Sequence, residues 1–151
     1  MALSKKPKPI HSASEFGLDV MSGDDDLFRW FLLCYLFGKP IQSGVAVKTW
    51  ELFVENGFDS PWAIQDAKGR TLVRIFYEGK YTRYDESTAR ALRECMGQLI
   101  NLYEGSLLLL IESSESEEEC IRRLKTFYGV GPKVTEIFMR EAGEYFARRN
   151  E

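Results

Sequence analysis

The chain has 151 residues, 44% hydrophobic and 28% charged, enough for one globular domain with a substantial core. A formal net charge of −3 excludes a global positive field, so any contact with nucleic acid must rest on local charge. The longest apolar run, Leu27 to Phe37, is far short of the roughly 20 residues that cross a bilayer, and the lysine- and proline-bearing N-terminus has no apolar run of a signal peptide. A cytoplasmic protein with no membrane partner is the expectation. Cys34, Cys95 and Cys120 are odd in number and widely spaced, which reads as free thiols in a reducing compartment. No pair has the spacing of a zinc or cluster site.

Residues 1–22 read as a weakly ordered basic arm, rich in Ser, Lys, Pro and Gly and carrying the only histidine, His11. Residues 23–151 read as one helical domain. Asp24, Asp25 and Asp26 open a helix to about Phe37, with acids placed to satisfy free N–H groups and complement the helix dipole. That helix is apolar almost all round, so it should be the buried one. A second helix spans about Ser43 to Glu55. Ser60-Pro61 supplies an N-cap and first residue for a short third, and Thr71 to Glu78 forms a fourth. Asp85 or Ser87 can cap a long fifth, where Leu92, Cys95, Met96, Leu99, Leu102 and Tyr103 recur at helical spacing. Leu107 to Ile111 has no partner strand in view and reads as a buried connector. The acidic run from Glu112 to Glu119 reads as a cap and a solvated first turn.

Two amphipathic helices then frame FYGVGPKVTEIF, Phe127 to Phe138. A chain that stops one helix and restarts another within four residues needs positive φ and little bulk, which Gly129 and Gly131 can supply. Pro132 suits the first position of the next helix, and Val130 can tuck between the two. Glycine amides and the free N–H groups of a helix start make an anion site, and phosphate contacts of this type position a protein on DNA without reading sequence. The candidate DNA-binding residues are Gly129, Val130, Gly131, Lys133, Lys125 and Arg140. Arg122, Arg123, Arg148 and Arg149 add local positive charge. No period-2 run is present, so the fold class is all-α: six to eight helices with a C-terminal helix-hairpin-helix.

From about Asp24 to Arg140 the chain resembles the helix-hairpin-helix DNA glycosylases of the endonuclease III superfamily, and specifically their six-helix barrel subdomain. FYGVGPKVTEIF is similar to that family's hairpin. FRWFLLCYLF, VKTWELF, SPWAI and LVRIFYEGKYTRYDESTARALRECMGQLINLYEG follow its helix order. The resemblance implies a DNA-binding scaffold of base excision repair, with Lys133 at the position of the lysine that forms a Schiff base at a damaged nucleotide. It implies duplex or damaged DNA as partner and permits a monovalent cation at the hairpin. The family's aspartate motif beyond the lysine and its four-cysteine iron–sulfur loop are not found. Gly38-Lys39-Pro40-Ile41 stands where its base-probing polar string is expected, with Gln42 out of register.

Three functions follow as expectations. The first is a DNA-binding module without full glycosylase activity. The second is an abasic-site lyase or glycosylase using Lys133, with an acid from elsewhere or from a partner chain that supplies a second subdomain. The third is a protein-interaction scaffold that has lost DNA, for which Trp62, Tyr81 or Tyr84 would be anchors.

Overall fold

A computed structural model describes residues 12–149; His11, the lysine–proline run before it and Glu151 lie outside them. Helix α1 (Asp24–Leu36) is the axis of the molecule, and nine of its 13 residues, including Trp30, Phe31, Leu33 and Leu36, are buried. It packs against α2 (Ser43–Glu55), α6 (Leu107–Glu112) and α8 (Pro132–Ala142). A second set forms around the long α5 (Asp85–Tyr103), which packs against α3 (Pro61–Asp66), α4 (Gly69–Glu78) and α6. Helices α7 (Glu117–Leu124) and α9 (Glu144–Arg149) complete nine α-helices with no strand among the described residues. The all-α expectation holds.

Buried polar side chains tie the helices where hydrophobic contact alone would let them slide. The Trp30 indole donates to the Phe138 carbonyl at 3.3 Å, joining α1 to α8. Trp50 on α2 donates to the Arg29 carbonyl at 2.9 Å. The Tyr81 hydroxyl donates at 2.6 Å to the Leu36 carbonyl, one of the orphan acceptors at the end of α1. Tyr81 is thus wholly buried and presents nothing to a partner.

Several local expectations are corrected. Residues 12–22, read with the weakly ordered arm, form two 3-10 turns, Ala13–Phe16 and Val20–Ser22. Ser12 and Glu15 close a capping box around the first, and Ala13, Leu18 and Val20 are buried. Composition suggested solvation; three apolar side chains and a box were enough to dock the segment. The acids of α1 do not cap it. Asp24 instead accepts from the Ser106 hydroxyl at 2.7 Å and the Leu108 amide at 3.0 Å, and Asp26 accepts from the Asp19 amide at 2.9 Å. Neither Asp85 nor Ser87 caps α5, because a 3-10 turn, Thr82–Tyr84, already runs into it. Leu107 to Ile111 is helical: the Ser106 hydroxyl accepts from the Leu109 amide and starts α6, a helix too short to display a period. The acidic run behaves as expected, with Ser116 capping α7 and Glu119 reaching back to the Glu115 amide.

Candidate functional site

Helix α7 ends at Leu124, and the chain reaches α8 through seven residues, Lys125 to Gly131. Tight turn bonds lead it there: Phe127 N–H to the Leu124 carbonyl and Val130 N–H to the Phe127 carbonyl, each at 3.1 Å. Phe127 and Val130 are buried and anchor the turn from within. Val130 therefore contributes packing, and its amide is already spent.

Two other helices hold this turn in place. The Gln98 side chain on α5 accepts from the Tyr128 amide at 2.6 Å and donates to the Thr126 carbonyl at 3.2 Å. The Tyr35 hydroxyl on α1 donates to the Tyr128 carbonyl at 2.9 Å. Desolvation by burial, first of all, pushes the Tyr35 pKa up, so it stays a protonated donor through the ordinary pH range. Neither partner was found from the sequence. Gln98 carries no local signal, whereas a tyrosine inside the apolar run of α1 did announce a hydroxyl needing an acceptor.

The two glycines differ in kind. Gly129 has φ +80, and an added Cβ would overlap the Tyr35 hydroxyl, so the fold itself demands glycine there. Gly131 is extended, with φ −106 and ψ −165, and an added Cβ would meet nothing within 4 Å. Folding makes no steric demand at Gly131. It is the N-cap of α8 and offers no side-chain cap, with Pro132 following at the first position. The N–H groups of Gly129, Gly131 and Lys133 have no hydrogen-bond partner among the described residues, and none of the three residues is buried.

Arg122, Lys125 and Lys133 are exposed and in no ion pair among the described residues. The other cations that the sequence places near the hairpin are engaged elsewhere. Arg123 donates to Ser113 and Ser114 and pairs with Glu119. Arg149 donates to the Ile111 and Ser114 carbonyls, both at 2.8 Å. Arg148 pairs with Glu144. Arg140 pairs loosely with Glu136 and lies nine residues past Gly131, about 13 Å along the helix. It lines a separate groove with Leu18, Met21 and Glu144 and is not brought together with the turn. Lys133 is solvent-exposed, with no carboxylate in ion-pair range among the described residues.

The α1–α2 turn sits beside the start of α8: a Cβ on Gly38 would come within 2.8 Å of Val134 Cγ2. The next residue, Lys39, places its ammonium 5.4 Å from the centre of the Tyr84 ring, and the Arg83 guanidinium is 5.6 Å from the same ring. The sequence reading had not joined Lys39 to this end of the molecule.

The three cysteines are free and buried. Among the described residues no group of three or more His, Cys, Asp or Glu side chains is placed to hold a metal ion, and no helix is long and apolar enough to cross a membrane. Compared with protein-family models, curated proteins and solved structures, the chain has no match.

Proposed function

We propose that the α7–α8 turn grips a DNA backbone without reading its sequence. The observation that carries this reading is the set of unpartnered amides at Gly129, Gly131 and Lys133, unspent while the other amides of the turn, from Lys125 to Val130, are bonded. An oxyanion satisfies such donors at a helix start, where the dipole favours negative charge. A glycine that folding does not require leaves room for a phosphate to approach the main chain. Arg122, Lys125 and Lys133 supply unneutralised positive charge around it, in a chain whose overall charge is −3. The resemblance of FYGVGPKVTEIF to the glycosylase hairpins points to the same partner and to base excision repair.

Lys133 is assigned to the phosphate rather than to Schiff-base chemistry. A lysine nucleophile loses its proton through desolvation or a neighbouring cation, and this side chain is exposed. The protein then acts as a binding module without a complete glycosylase site. Fluorescence anisotropy with labelled duplex, nicked and abasic DNA at low salt tests the reading. Weak binding is expected, with a log–log salt slope of about −0.9 for each phosphate neutralised. No binding to any of the three would end it. Borohydride reduction with an abasic duplex should leave no adduct; an adduct lost in Lys133→Ala would restore the lyase assignment.

A further inference from the structure

The tyrosines of this chain are mostly engaged. Tyr35, Tyr81 and Tyr145 donate to main-chain carbonyls, Tyr84 lies beside two cations, and the Tyr103 ring is 6.1 Å from that of Phe127. Tyr128 is different. Its main chain is clamped twice, at the amide by Gln98 and at the carbonyl by Tyr35. Its side chain is 58% exposed and has no ring, cation or hydrogen-bond partner among the described residues. A large apolar surface is thus held out to solvent from a fixed backbone, directly before the unpartnered amide of Gly129. The other highly exposed tyrosine, Tyr77, belongs to α4 and not to this turn.

We propose that Tyr128 is a stacking platform for an unpaired base, so that this turn favours single-stranded or locally unpaired DNA over intact duplex. The inference rests on the backbone-gripping reading and adds a substrate class to it. Tyr128 and Gly131 are three residues apart, at most ~11 Å along the chain. A base on the ring and a phosphate of the same or the adjacent nucleotide at the amides are therefore sterically compatible. Every base has a π-face, so such a platform selects no sequence. In a duplex both faces are covered by neighbouring pairs, and exposing one costs unstacking. Because both clamps act on the main chain, the base of the side chain is fixed, and only its own two torsions need ordering on binding. Truncating the side chain leaves both clamps in place.

The test compares a labelled mixed-sequence single strand with its blunt duplex, by anisotropy at one low salt concentration. The intact protein should bind the single strand more tightly. Tyr128→Ala should weaken single-strand binding by roughly tenfold while shifting duplex binding by less than about twofold. Tyr128→Phe, which keeps the ring, should restore the single-strand affinity. Equal losses on both DNAs, no loss on the single strand, or failure of phenylalanine to restore binding would each overturn the inference. Should Gly131→Asp remove duplex binding while Tyr128→Ala has no selective effect, the backbone reading stands and the stacking one fails. Should the intact protein bind neither DNA, both fail.

Discussion

The α5–α6 turn and the α7–α8 turn are built on the same device. Each places a glycine at positive φ, Gly105 at +74 and Gly129 at +80, where an aromatic side chain fills the space a Cβ would need. Trp62 does so at Gly105 and Tyr35 at Gly129. Beyond that point they diverge. At the α5–α6 turn most amides find a partner: those of Glu104, Gly105 and Ser106 bond back to α5, Ser106 caps α6, Asp24 takes the Ser106 hydroxyl and the Leu108 amide, and the amide left over, that of Leu107, belongs to a buried residue. At the α7–α8 turn a second, sterically unnecessary glycine follows, and the amides of three residues that are not buried, Gly129, Gly131 and Lys133, stay unpartnered. The same local chemistry makes a closed joint in one place and a candidate binding surface in the other. What separates them is the accounting of main-chain donors.

The largest effect expected is from Gly129→Ala. Left-handed backbone costs a non-glycine residue about 1–2 kcal/mol, and forcing a methyl against the bonded Tyr35 hydroxyl adds roughly 1–3 kcal/mol. Thermal or urea unfolding should register their sum, with DNA binding lost as the turn distorts. Gly105→Ala should cost less, about 1–2 kcal/mol, since Trp62 is half exposed and can swing aside. The folded Gly105→Ala protein should retain its DNA affinity; a comparable loss of affinity would mean that the two turns are not functionally distinct.

Gly131→Asp divides stability from binding. Aspartate is a slightly better N-cap than glycine, so the fold should hold or gain a few tenths of a kcal/mol, while its carboxylate occupies the amides and repels phosphate. Anisotropy should show binding abolished in a protein whose melting temperature has not fallen. Binding that survives would place the DNA contact elsewhere. The converse variant, Asp24→Ala, orphans the Ser106 hydroxyl and the Leu108 amide and should cost about 1–3 kcal/mol without altering DNA affinity.

The smallest effect concerns alkaline pH and spreads over both regions. Burial, above all, pushes the Cys120 thiol up from 9.0 to about 11, and it raises Cys34, Cys95, Tyr35 and Tyr81 as well. A raised acid contributes stability that is complete below its unfolded pKa and is lost as pH climbs through its folded one. Stability should therefore be insensitive to these groups at neutral pH and decline from about pH 9 upward. A thiol reagent at pH 8 should label the native chain slowly and the urea-unfolded chain at once. Fast native labelling would show that these thiols are reachable.

Much of the architecture was legible from residue order. Apolar periodicity and the punctuation of Gly38, Asn56-Gly57, Ser60-Pro61 and Gly79 placed α1 to α5 to within a few residues, because burial of one stripe and the breaking of a helix are local demands. The turn at Gly129 and Gly131 was visible for the same reason. Long-range hydrogen bonds were not. Nothing near Gln98 or Tyr35 says that both will meet Tyr128, nor does Asp24 advertise Ser106 and Leu108, since each pairing depends on how distant helices dock. Tertiary structure alone separated the glycine that folding requires from the one it leaves free, by placing the Tyr35 hydroxyl against one and open space beside the other. It also sorted the cations, consuming Arg123, Arg148 and Arg149 in carbonyl, hydroxyl and carboxylate contacts and leaving Arg122, Lys125 and Lys133 unpaired. Sequence sets which groups exist and what each segment prefers; only packing decides which are satisfied from within.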